Sequence, residues 1–316
     1  MLSRVADSLY WMSRYLERAE HTAALIDEHL NLMLDSASVS ADQRWQRVLA
    51  SLGSTGTEPA GPSVAEALAF DGESRVSIVS CIGEARENAR QVREQSSAAM
   101  WEQINRLFHS IRDAEAEKRW RSDPHAFLQT VLEGACLFQG ITDSTMNHDE
   151  GWHFIQLGRY LERAGALAVL VDVHFRNFEM GTDQREDLSE HLEWIGLLRS
   201  CSAFEGYCRI YTADVRADRV AEYLLLNDVF PHSVRFCIEQ VHGAVYALPE
   251  ASAKAAARLR RLTGRLRATL SFNNIEEVMA GGLHSWLDGV LRQCHLIHSA
   301  IREAFVEYPI ERAISA

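Results

Sequence analysis

Proline is scarce in this chain: six in 316 residues (Pro59, Pro62, Pro124, Pro231, Pro249 and Pro309), each where the apolar pattern breaks. Period-two alternation is equally rare, which argues against strands. No run approaches the roughly 18 uninterrupted apolar residues of a membrane span. The first twenty residues carry charges throughout and lack the apolar centre of a signal peptide. None of the six cysteines (Cys81, Cys136, Cys201, Cys208, Cys237, Cys294) makes a C-x-x-C pair, so buried reduced thiols are expected rather than a zinc ribbon or a disulfide framework. Basic residues are in deficit, 32 Lys+Arg against 44 Asp+Glu for a net charge of −12. A nucleic-acid partner needs the opposite, a basic face that displaces phosphate counterions. G-x-S-x-G, P-loop and dinucleotide fingerprints are missing too. What is present, 47% hydrophobic and 24% charged residues, is the composition of a folded globular protein. The expectation is a soluble cytoplasmic protein without a membrane span.

Between the prolines the periodicity is helical. Leu2, Val5, Leu9, Met12, Leu16, Ala19, Ala23, Ile26, Leu30 and Met33 alternate three-four spacing without a miss, with Ser3 placed to cap the helix. Leu283, Leu287, Val290, Cys294, Ile297 and Ile301 form a second such seam, and Leu128, Val131, Ala135 and Phe138 a third. The stretch from Gly53 to Ser63 reads as a flexible loop. The fold class is all-α.

The chain also repeats itself. Arg14-Tyr15-Leu16-Glu17-Arg18-Ala19 recurs letter for letter as Arg159-Tyr160-Leu161-Glu162-Arg163-Ala164, and Asp27 and His29 meet Asp172 and His174 at the same offset. Ser77-Ile78 and Cys81-Ile82 answer Ser233-Val234 and Cys237-Ile238, and Leu132-Glu133-Gly134 answers Leu287-Asp288-Gly289. Matches in the same order predict a duplication: a first helical repeat over 1–145 and a second over 146–316, packed about a pseudo-twofold axis as one unit.

On the first repeated helix Arg14, Glu17, Arg18 and His21 lie away from the apolar seam, flanked by Tyr10 and Leu25; the second carries Arg159, Glu162 and Arg163 on the same face. Charges mixed with aromatic and aliphatic residues point to a helix packed on two sides. Arg14 and Glu17 stand three apart, close enough to pair within the helix and leave Arg18 free to reach a neighbour. Two readings are open. In one the repeated helices meet near the axis and exchange Arg–Glu forks; in the other a surplus guanidinium binds a carboxylate or phosphate.

Two features belong to one half only. Arg86 and Arg90 share a helix face one turn apart, while His242 and Tyr246 stand at the corresponding places. An anion between the two arginines would relieve their repulsion. The stretch Thr142 to Glu150 reads as an entry loop; Asn147 with Glu150 fits a capping pair, while Asp143, Ser144, Thr145, His148 and Asp149 form a denser polar set than a cap needs. Glu150-x-x-His153 has the spacing of a di-iron helix without its second copy, and His295-x-x-His298 lacks a third ligand, so no metal site is expected.

Four stretches together resemble the alpha-E family, bacterial all-α proteins with a Glu-Arg motif. They are the repeated Arg-Tyr-Leu-Glu-Arg-Ala, the segment Ala85-Arg86-Glu87-Asn88-Ala89-Arg90, Asp143-Ser144-Thr145-Met146 through Gly151-Trp152, and Phe230-Pro231-His232-Ser233-Val234-Arg235-Phe236. The resemblance runs from Met1 to beyond Leu291; Ser74-Arg75-Val76 departs from a more usual Asn-Pro-type lead into Ser77. It implies a circularly permuted ATP-grasp protein as partner, with transglutaminase-like proteases in the same neighbourhoods. ATP and Mg would then sit on the partner, with no cofactor in this chain, and a peptide or amino acid would be the substrate. On that footing the chain is an accessory component of an amide ligase. The alternative is an enzyme acting on the amide product or acyl intermediate, with Glu17 or Glu162 as acid/base.

Overall fold

A computed structural model of the chain describes residues 1, 3–35, 41–53, 62–113, 115–178, 187–212, 214–249 and 253–306. Leu2, Pro59, Pro309, most of the predicted loop after Gly53 and the end of the second repeat lie outside these residues. The helices in chain order are α1 (Ser3–Asp35), α2 (Ala41–Ser51), α3 (Pro62–Phe70), α4 (Ile78–Gln91), α5 (Ala98–Arg112), α6 (Ala116–Ser122), α7 (Pro124–Thr145), α8 (Glu150–Phe178), α9 (Asp187–Ser200) and α10 (Phe204–Tyr211). They continue with α11 (Ala217–Leu226), α12 (Val234–Ala247), α13 (Ala253–Phe272), α14 (Ile275–Ala280) and α15 (Leu283–Phe305). No strand occurs among the described residues, and no helix there is long and apolar enough to cross a membrane.

Local chemistry sets the helix ends. Ser77, Ser97 and Ser233 accept the N–H three residues on, capping α4, α5 and α12. Asp123 caps α7, and Pro124, like Pro62 in α3, opens its helix where no N–H is needed. Ser3 is the first residue of α1 rather than its cap.

α1 is buried on two faces. Leu9, Met12, Leu16, Ala19, Ala23 and Ile26 form the seam, while Tyr10, Glu17 and Leu25 are buried on the other side. It packs against α4, α7 and α8; α8 packs against α1, α12 and α15. α5 joins α4 to α7 as α13 joins α12 to α15. α2 and α9 each reach across, touching both α1 and α8, and a single apolar core runs through all of these elements. The seam of α15 is buried throughout, as its periodicity predicts.

The repeated letters sit in matching environments. Ser77 and Ser233 donate their hydroxyls to the carbonyls of Asp71 and Asn227, and the thiols of Cys81 and Cys237 meet those of Arg75 and Pro231. Asp27 meets His125 at 2.6 Å and Asp172 meets His284 at 2.7 Å. His29 lies on Trp45 at 4.2 Å and His174 on Trp194 at 4.5 Å. Four cysteines are buried as expected; Cys136 is exposed and Cys208 half-buried.

Candidate functional site

α1 and α8 cross at close range. A Cβ at Gly158 would lie 2.2 Å from the carbonyl oxygen of Tyr10, and the Ser13 hydroxyl donates to the Ile155 carbonyl at 2.7 Å. Glycine is required there for the approach. One turn on, the repeated motifs face each other. Glu162 accepts from Arg14 Nε at 2.6 Å and from Arg18 Nε at 2.7 Å, with both terminal nitrogens equally close. Glu17 receives Arg163 through two nitrogens, one at 2.8 Å, and Arg159 stands 3.9 Å away. The remaining arm of Arg18 donates to the Arg75 carbonyl, and that of Arg163 to the Pro231 carbonyl, each at 3.3 Å.

The forks therefore run between helices. Arg14 does not pair with Glu17, whereas Arg18 does reach a neighbouring helix as expected, because the crossing brings the Glu162 carboxylate within reach of both arginines. Among the described residues of this cluster, Arg159 is the guanidinium held least closely: its Nε makes no hydrogen bond and its side chain is 15% exposed. Arg14 also reaches Tyr10 Oη at 3.2 Å and His298 Nδ1 at 2.9 Å. Burial raises the Glu162 carboxyl, but Arg14 and Arg18 more than offset this and hold it below its ordinary value. A carboxylate so held is a poor general acid. This cluster clamps α1 to α8.

A second cluster begins one turn beyond Glu17, where Glu20 and His21 look into a cleft of about 40 Å³. Glu17, Leu132, Arg163 and Ala166, the Ser200–Ser202 turn and His232 are also part of its wall. Glu20 accepts from the Gln139 amide at 2.8 Å and lies 3.9 Å from Arg163. Burial, and then the nearby Glu17, push its carboxyl up to about 7, against the pull of Arg163 and Arg159. Burial lowers His21 to about 4, and burial with the same arginines takes His232 well below its usual value, so both imidazoles are neutral near pH 7. Burial holds the Cys201 thiol up at about 12, which rules it out as a ready nucleophile.

The Ser200–Ser202 turn is strained. Ser202 has φ 50°, left-handed backbone that favours glycine, and closes α9 with Ser202 N–H to Arg199 O at 2.9 Å and Ala203 N–H to Leu198 O at 2.8 Å. The corresponding end of α2 has Gly53 at φ 71°, bonded to Ala50 O at 3.0 Å. Sequence reasoning placed His21 on the motif face but passed over Glu20 and Ser202. A signal existed: where α1 has Glu20-His21, α8 has Gly165-Ala166.

The remaining expected site residues lie elsewhere. Arg86 donates to Asn105 at 2.6 Å and covers Phe108, whereas Arg90 is exposed and pairs with Glu87 at 2.7 Å. Among the described residues no anion is hydrogen-bonded to both arginines: Arg86 takes the Asn105 amide and Arg90 takes Glu87. His242 and Tyr246 stack on each other at 4.5 Å. Thr142 to Thr145 are the last turn of α7 rather than a loop. Asp143 accepts from Trp152 Nε1 at 3.0 Å, His148 stacks on that indole at 4.2 Å, and Thr145 bonds Ser97 at 2.7 Å; Ser144 is exposed. Asp149, not Asn147, takes the Gly151 N–H at the start of α8. Glu150 meets the amino group of Met1 at 2.7 Å, and among the described residues no group of three or more His, Cys, Asp or Glu is placed to hold a metal.

Comparison with known proteins adds the family. Proteins from Mycobacterium bovis and Mycobacterium tuberculosis, each entitled only "Uncharacterized protein", are 24% identical to this chain over 326 residues, covering 95% of it and 36% of their own length. The chain thus spans little more than a third of these curated relatives. No solved structure matches it. The family "Alpha-E: a predicted alpha-helical domain with a conserved ER motif" matches residues 1–306. With Glu17-Arg18 and Glu162-Arg163 forming the α1–α8 clamp, the chain belongs to the Alpha-E family.

Proposed function

We propose that this chain is a non-catalytic partner of a circularly permuted ATP-grasp amide ligase, docking it and helping to shape a peptide or amino-acid site. ATP and Mg would be held by the ligase, and a transglutaminase-like protease would act in the same system. One observation carries the non-catalytic reading: the Glu-Arg motif is occupied in holding α1 to α8. The relatives lend support, since the matching helical unit is just over a third of each chain and has other polypeptide to work with. The competing reading, Glu17 or Glu162 as acid/base, is weakened by the arginines that keep Glu162 ionised. Cytoplasmic location belongs to the same proposal. We also take the two halves as copies of one unit, supported by the paired serine, thiol and histidine contacts.

Co-purification with a circularly permuted ATP-grasp protein from the same genome, followed by ATP turnover with amino acids present, tests the reading. The expected result is a stable complex whose turnover requires this chain. A ligase equally active without it, and no complex, would overturn the proposal.

A further inference from the structure

The cleft beside the clamp presents one carboxyl that is only partly engaged, together with two neutral imidazoles. Gln139 uses one oxygen of Glu20, leaving the other toward the cleft 3.9 Å from Arg163. His21 Nε2 is buried without a hydrogen-bond partner. His232 adds a second imidazole, and Ser200 and Ser202 bring hydroxyl-bearing side chains to the wall. The cation at the wall, Arg163, is directed at Glu17 and at the Pro231 carbonyl. An incoming carboxylate or phosphate would therefore meet Glu20 and a guanidinium already engaged. An ammonium would meet an ionisable carboxyl beside a buried imidazole nitrogen that has no hydrogen-bond partner. The volume of about 40 Å³ admits a terminal group and no more.

Two further observations mark this cleft. Ser202 holds left-handed backbone at the cleft wall where the matching turn at α2 uses glycine. The polar pair is also one-sided, since Gly165 and Ala166 stand on α8 where α1 has Glu20 and His21.

We propose that the Glu20–His21–His232 cleft is a recognition site for a primary ammonium group, the amino end of an amino acid or peptide. The assignment to an amide-forming system rests on the proposed function; the ammonium site itself does not. Binding couples to a proton: below about pH 7 the Glu20 carboxyl is protonated, and the ammonium must displace that proton to form its ion pair. Glu17, Arg163 and Arg159 set the surrounding field, while His21 and His232 stay neutral over that range.

The test uses this chain alone, so it stands or falls apart from the ligase. Ethylammonium chloride is titrated into the protein and followed by amide shifts at Ser202 and His232, with sodium acetate as the anionic control. Saturable shifts are expected with ethylammonium, with affinity about tenfold weaker near pH 6 than near pH 8. Glu20→Gln should weaken binding at least about tenfold. Ala166→Leu, which fills the cleft and removes no charge, should abolish binding with little change in melting temperature. Absence of saturable shifts in the wild type, or undiminished binding in folded Ala166→Leu or Glu20→Gln, would overturn the proposal. Tighter binding of acetate would also overturn it and reassign the cleft to Arg163.

Discussion

The Glu17 and Glu162 ends of the clamp are built from the same six letters and differ in what lies one turn further along. Each glutamate takes a bidentate arginine from the opposite helix, and each of those arginines spends its spare arm on a backbone carbonyl, Arg75 on one side and Pro231 on the other. Beyond this frame they part. The Glu17 side continues into Glu20, His21, His232 and the strained Ser202; at the corresponding positions stand Gly165, Ala166, Val76 and Gly53. What both sides share holds the helices together. What one side alone has cannot be explained by that task.

The largest effect should come from opening the clamp. Glu17→Ala leaves Arg163, 4% exposed, without its carboxylate and should cost about 4 kcal/mol in denaturant unfolding. Glu162→Ala should cost less, about 3 kcal/mol, because Arg14 and Arg18 keep more solvent. Equal small losses would mean that the clamp is not structural.

Next comes the pH dependence of the Glu17 side. Glu20 has a folded-state value raised from 4.5 to about 7, so its contribution to stability is full below about 4.5 and is lost as pH rises through about 7. Wild type relative to Glu20→Gln should therefore lose up to about 3 kcal/mol over that window. The comparison cancels the opposite trend from His21 and His232, neutral when folded, whose contribution is lost as pH falls below the usual histidine range. A flat difference between the two proteins would remove the special status of Glu20.

Much of the frame was legible beforehand. Seams such as Leu283 to Ile301 repeat at helical spacing over several turns, and the duplicated hexapeptide stood out without a structure. Partner choice was not legible. Arg14 and Glu17 satisfy the spacing of an intrahelical pair, yet the close crossing at Gly158 offers each a buried partner on the other helix. The one-sided arginines misled for a related reason: Arg86 is met by Asn105 and Phe108 of α5, contacts that no spacing rule along α4 reveals. Glu20 looks like one more surface glutamate until α7 and α9 close over it, and Ser202 in a left-handed turn carries no glycine to announce it.

Two smaller substitutions sharpen the contrast. Gly158→Ala should force α1 and α8 apart and cost about 2 kcal/mol, read as a lowered denaturant midpoint. Ser202→Gly should relieve its left-handed backbone and raise stability by about 1 kcal/mol. A neutral or destabilising result there would show that the serine side chain stabilises the turn.

One frame carries two different glutamate environments, and carboxyl-carbon NMR titration of Glu20 and Glu162 in the same sample distinguishes them. Glu20 is expected to titrate near pH 7 while Glu162 stays ionised below the ordinary carboxylate range. Both carboxyls titrating together at the ordinary glutamate value would contradict it.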